Sequence, residues 1–219
     1  MAPTMIDGPR VSPPAGTEVR SLVILLHGYG SNGADLISLA PHWRAALPAT
    51  AFIAPNAPER CPGAPGGYQW WGLAGPGATS SRAEGAARAA PVLDAFIDQE
   101  LARHGLSEAQ LALVGFSQGT MMALQVGPRR RRQIAGIVGY SGMLADPAGL
   151  ADPEITKPPI LLIHGDADPM IPIAAFHLAL AALEENGFAV ESHLSRGLGH
   201  SIDMTGLQLG GAFLARVLG

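Results

Sequence analysis

LALVGFSQGTMMAL, residues 111–124, is the stretch on which the reading of this chain turns. Residues 111–114 form a short apolar run of the kind that fits a buried strand. Gly115-Phe116-Ser117-Gln118-Gly119 follows at once, and apolar residues at helical spacing begin directly after it. A G-x-S-x-G pentapeptide between strand and helix is the nucleophile-elbow pattern. The spacing has a steric cause: the serine occupies a sharp turn, and residues without Cβ on either side let strand and helix approach closely. The hydroxyl then stands above the sheet beside a helix N-terminus, where N–H groups favour developing negative charge.

Working outward, Ser21–Leu26 (SLVILL) is a second short apolar run, and it ends in the glycine-rich loop HGYGSNG at residues 27–33. Further strands are expected at 50–54, within 134–140, at 159–164 (PILLIH) and at 189–194. Helical spacing marks 34–40, 80–103, Ile173–Glu185 and Met204–Leu218, with Pro91 expected to distort or restart the second of these. Asn186-Gly187 is a helix stop signal. Residues 1–20 contain four prolines and read as an irregular lead-in with an edge strand near Glu18-Val19-Arg20. Residues 55–77 form a long proline- and glycine-rich stretch that also carries Tyr68, Trp70 and Trp71, which argues for an ordered functional loop. Strands alternating with helices imply a mostly parallel sheet with helices on both faces, an α/β fold. Ligands of such sheets bind outside the carboxyl ends of the strands.

Length and composition bound the answer. The 219 residues suit one domain spanning 1–219. With 47% hydrophobic and 15% charged residues, the chain is expected to be globular. A net charge of -4 argues against nucleic acid as a partner. Neither an apolar secretory leader nor a run near the roughly 18 residues of a membrane span is present, so no stable membrane insertion is expected. One cysteine, Cys61, leaves no internal disulfide and fits a reducing, cytoplasmic setting. Metal-ligand spacings are missing, and no metal is expected. The arginine run at 129–132 reads as solvated charge at a helix C-terminus.

A serine hydroxyl needs a base, and a histidine base needs a carboxylate to fix its tautomer. In the elbow architecture the order is Ser, then Asp or Glu, then His. After Ser117, HGDADP at 164–169 follows the PILLIH run and GLGH at 197–200 follows the run at 189–194. Asp168 and His200 are the choices. Asp166 is the rival acid, read instead as a turn-former. His27 and His164, at strand ends, read as structural hydrogen-bonding groups. The backbone N–H groups of Tyr29 and Gln118 are the candidate oxyanion donors.

With these residues in hand, the chain resembles the phospholipase/carboxylesterase family of small α/β-hydrolases, which includes bacterial carboxylesterases and acyl-protein thioesterases. The resemblance rests on LLHGYG at 25–30, GFSQG at 115–119, HGDADP at 164–169 and Gly199-His200. It implies an α/β-hydrolase fold without a large cap domain. The activity implied is that of a serine carboxylesterase acting, without cofactor, on short-to-medium-chain esters of small molecules. Acyl-protein thioesterase or lysophospholipase activity is the close alternative, and a non-catalytic binding protein on the same fold is the remote one. By the same resemblance Trp70, Trp71, Leu73, Met143 and Met170 are expected to line the substrate pocket, and the assembly to be a monomer or homodimer.

Overall fold

The computed structural model describes residues 5–73 and 81–219. In chain order the strands are β1 (Arg10–Val11), β2 (Ser21–Leu26), β3 (Thr50–Ile53), β4 (Glu59–Arg60), β5 (Tyr68–Gln69), β6 (Leu111–Phe116), β7 (Gly136–Tyr140), β8 (Ile160–Gly165) and β9 (Val190–Ser195). The helices are α1 (Gly33–Ile37), α2 (Ala40–Trp43), α3 (Arg82–His104), α4 (Gln118–Val126), α5 (Ile173–Glu185) and α6 (Met204–Leu218). Seven strands make one sheet in the order β1-β3-β2-β6-β7-β8-β9, parallel throughout except for β1. β4 and β5 pair as a separate small hairpin inside the aromatic loop.

Strand periodicity sorts the core into two layers. On β2, Leu22, Ile24 and Leu26 join one apolar layer with side chains of α3, α4 and α5, while Val23 and Leu25 join the other with α2 and α6. β6 divides in the same way, Leu111 and Leu113 to one side and Ala112 and Val114 to the other. A strand covered on both faces cannot afford polar alternation, which is why these runs are continuously apolar. The result is the mostly parallel, two-sided α/β sheet the chain was read to form, and its central strand is the one that ends at Ser117.

Four expectations need correction. The edge strand lies at Arg10–Val11, pairing antiparallel with β3, and not near Glu18 to Arg20. It is held there by Arg10, whose guanidinium meets the buried Glu100 carboxylate of α3 at 2.8 Å. α3 runs unbroken through Pro91. Pro91 and Ala87, whose carbonyl loses its donor, both lie on the exposed side, where water can replace the missing bond. The helical stretch at 34–40 divides into the short helices α1 and α2. The arginine run is not uniformly solvated: Arg130 is buried and paired with Asp94, Asp98 and Glu108. Three carboxylates from α3 and the turn after it compensate the burial of that one cation.

Candidate active site

β6 runs into α4 with no intervening loop, so the turn between them must be made by Ser117 alone. Its backbone sits at φ 54 and ψ −116, a positive φ that a residue with a side chain adopts only under constraint. The constraint comes from both sides. The Ser117 N–H donates to the Tyr140 carbonyl at the end of β7, and its own carbonyl accepts from Thr120 and Met121 in α4. A Cβ at Gly119 would stand 1.8 Å from the Leu26 carbonyl oxygen, and one at Gly115 would stand 2.4 Å from the Thr120 nitrogen. Glycine is therefore required at both positions, which is the physical content of the pentapeptide. Among the described residues, the N–H groups of Tyr29 and Gln118 have no hydrogen-bond acceptor.

Asp168 is held by the turn that follows β8. Its side chain is fully buried, and Oδ1 accepts from the N–H groups of Met170 (2.8 Å) and Ile171 (2.9 Å). Oδ2 accepts from Nδ1 of His200 at 2.7 Å. Burial by itself would raise this carboxyl, but the His200 hydrogen bond and the two amides outweigh it and hold it below its ordinary value. A carboxylate can only accept, so His200 carries its proton on Nδ1 and leaves Nε2 as a base. The imidazole lies 4.9 Å from the Phe116 ring, centroid to centroid. Ser117 and His200 open onto the same cavity of about 340 Å³, lined further by Tyr29, Leu36, Leu39, Phe116 and Ile202, with Ser31 and Asp35 as its polar edge.

The other sequence candidates fall into place around this centre. Asp166 accepts from the Gly197 N–H at 2.5 Å, so it ties its turn to the loop that carries His200. His27 donates from Nδ1 to the Gly28 carbonyl and accepts at Nε2 from the Ala57 N–H, and burial lowers its pKa. His164 bonds the Ile171 carbonyl through Nε2. Among the described residues, no three His, Cys, Asp or Glu side chains group as a metal ion would need, and no helix is long and apolar enough to cross a membrane.

The five expected pocket residues differ widely in burial. Trp70 and Trp71 are each 1% exposed and belong to the core. The Trp71 ring lies where a Cβ on Gly85 of α3 would be, 2.4 Å away, so that glycine leaves room for the indole to turn inward. The Trp70 indole N–H donates to the His27 carbonyl at 3.1 Å. Leu73 and Met170 are 53% and 69% exposed, and Met143 lines a separate cavity with Leu144 and Ala175. None of the five lines the cavity at Ser117 and His200. Residues 74–77 of the same loop lie outside the described residues. Sequence reasoning also missed the Gln118 side chain. It accepts from the Trp70 N–H at 2.9 Å and donates to the Trp71 carbonyl at 3.0 Å, pinning the aromatic loop to the elbow. Its only signal was a long amide beside the serine, at a position where the pattern tolerates any residue.

The model of the family described as Phospholipase/Carboxylesterase matches residues 7–218. The crystal structure of esterase PE8 is 44% identical in sequence, with a TM-score of 0.91 over 98% of this chain and all of that one. Acyl-protein thioesterase 1 of Gibberella zeae is 29% identical, covering 95% of this chain and 97% of its own. Esterase YpfH of Escherichia coli is also 29% identical, covering 86% and 79% respectively.

Proposed function

The chain belongs to the phospholipase/carboxylesterase family and is a serine hydrolase of esters, and from that premise we propose that it is a carboxylesterase of short-to-medium-chain substrates with Ser117 as nucleophile. In this reading Ser117 Oγ attacks the ester carbonyl while His200 Nε2 takes its proton. The oxyanion formed accepts from the Tyr29 and Gln118 N–H groups, which have no acceptor of their own among the described residues. Collapse expels the alcohol, protonated by His200, and leaves an ester on Ser117. Water, deprotonated by the same imidazole, then releases the acid. Asp168 keeps the proton on Nδ1 and stabilises the imidazolium that forms twice per cycle.

The observation that carries the reading is the Asp168–His200 pair, a buried carboxylate satisfied on both oxygens and bonded to an imidazole that shares a cavity with Ser117. The preference for shorter acyl chains is supported by the size of that cavity. About 340 Å³ lies at the lower end of the roughly 300–1,000 Å³ of ligand sites. Acyl-protein thioester hydrolysis is the second reading, favoured by the names of the fungal relatives, of which acyl-protein thioesterase 1 of Gibberella zeae is one. Labelling with a fluorophosphonate probe tests the nucleophile: the parent takes up one equivalent and Ser117→Ala takes up none. Equal labelling of the two proteins would overturn the assignment. Rates on p-nitrophenyl esters of increasing chain length, set against a palmitoyl thioester, separate the two substrate classes.

A further inference from the structure

His164 ends as a buried side chain with one nitrogen employed and one idle. It is 1% exposed, and its ring packs 5.5 Å from that of Phe176. Nε2 lies 2.8 Å from the Ile171 carbonyl oxygen, so it must carry the proton and donate. Nδ1 is then a bare acceptor, buried and without a partner among the described residues. Native structures leave few such atoms, and each asks for a compensating reason. A packing role offers none, because an apolar ring would fill the same space without the idle lone pair.

The reason lies on the donating side. The residue whose carbonyl His164 holds, Ile171, is also one of the two whose N–H groups hold Asp168 Oδ1. His164 therefore grips the far end of the turn in which Asp168 sits, four residues beyond its own place at the end of β8. Its Nε2 comes no closer than 3.6 Å to Asp168 Oδ2, outside hydrogen-bond reach, so Oδ2 stays with His200. We propose that His164 is a positioning residue: by clamping the Ile171 carbonyl it keeps the Met170 and Ile171 amides aimed at Asp168, and so keeps Asp168 aimed at His200. The inference rests on the reading of Asp168 and His200 as the partners of Ser117.

The test compares His164→Phe with His164→Gln, with turnover expressed per fluorophosphonate-reactive site so that misfolded protein drops out. A misplacement of about 1 Å costs on the order of 100-fold in rate, and loss of the clamp is expected to lower kcat by about 10- to 100-fold in His164→Phe with KM held within about threefold. His164→Gln, whose amide can still donate to Ile171, is expected to stay within about fivefold of the parent. The far-downfield proton resonance of the Nδ1–H bond between His200 and Asp168 should persist in the parent and in His164→Gln and vanish in His164→Phe. Parental kcat per site and an unchanged resonance in His164→Phe would overturn the inference. Observation of His164 as the Nδ1–H tautomer in the parent would do the same. If His164→Phe does not fold, His164→Asn, whose amide stops short of Ile171, is expected to show the same loss, and parental turnover in it sinks the proposal. Failure of the underlying reading is separate, because it is seen as parental turnover in Asp168→Asn or His200→Ala.

Discussion

Two loops flank Ser117, and their key groups are held in different ways. The turn after β8 aims its carboxylate from within, since Asp168 accepts from residues two and three places further along and His164 bonds a carbonyl seven places on, while Asp166 and Ala167 tie the turn itself to residues 195–198. The aromatic loop is held from afar. Gln118 reaches it across 47 and 48 positions, and the Trp70 indole reaches His27 across 43. Its backbone joins the glycine-rich loop in the same manner, Tyr68 N–H to the Ser31 carbonyl and Gly30 N–H to the Tyr68 carbonyl. The acid's carboxylate is therefore aimed by its neighbours in sequence, while the aromatic loop depends on the elbow being built first. Substitutions in the turn should damage chemistry and spare the fold, and substitutions around the loop should do the reverse.

Asp168→Asn is the strongest challenge to that contrast. An asparagine can still accept the Met170 and Ile171 amides, so the turn should survive, yet the charge facing His200 is gone. A fall in kcat of about 10³- to 10⁴-fold is expected, with a thermal midpoint within a few degrees of the parent. Collapse of the fold instead would mean the turn depends on the charge. Trp71→Ala should behave oppositely, losing about 3–5 kcal/mol of stability in denaturant titrations while the folded fraction keeps most of its turnover. Gln118→Ala joins the two regions. It orphans the Trp70 N–H and the Trp71 carbonyl, each costing about 1–3 kcal/mol, and leaves the Gln118 backbone N–H untouched. A loss of stability with KM moving more than kcat is expected, and a pure kcat loss would show that the loop acts on the chemistry directly.

The smallest effect is in acid. Because the folded Asp168 carboxyl titrates below its unfolded value of about 3.9, the unfolded chain takes up the proton first on acidification. The stability this group contributes is thus complete above that value and fades as pH falls through the folded one. Urea titrations of parent and Asp168→Asn should therefore converge as the pH falls below about 4.

The same contrast explains what could be read from the chain before its structure. α5 and α6 begin and end where their apolar spacing and the Asn186-Gly187 stop place them, because those signals lie within a few residues. β2 likewise matches its apolar run. Asp168 and His200 were legible as candidates because each follows a strand end, and the structure brings the two side chains into contact. The inward turn of Trp70 and Trp71 was not legible, since it depends on a glycine in α3 and an amide in the elbow. Nor was the burial of Arg130, which depends on three carboxylates, at least 22 positions away. The lining of the cavity by Leu36, Leu39 and Ile202 escaped notice for the same reason: two segments far apart in sequence build one wall.

The positive φ of Ser117 has a consequence for any assay of this protein. That backbone angle exists only while β6 and α4 are docked against β2 and β7, for nothing in the local sequence favours it. A chain whose sheet has parted has a serine at position 117 but no elbow, and its hydroxyl is as inert as any other. Covalent capture by a phosphonate therefore counts native molecules, and the nucleophile doubles as a built-in gauge of how much of a sample is folded.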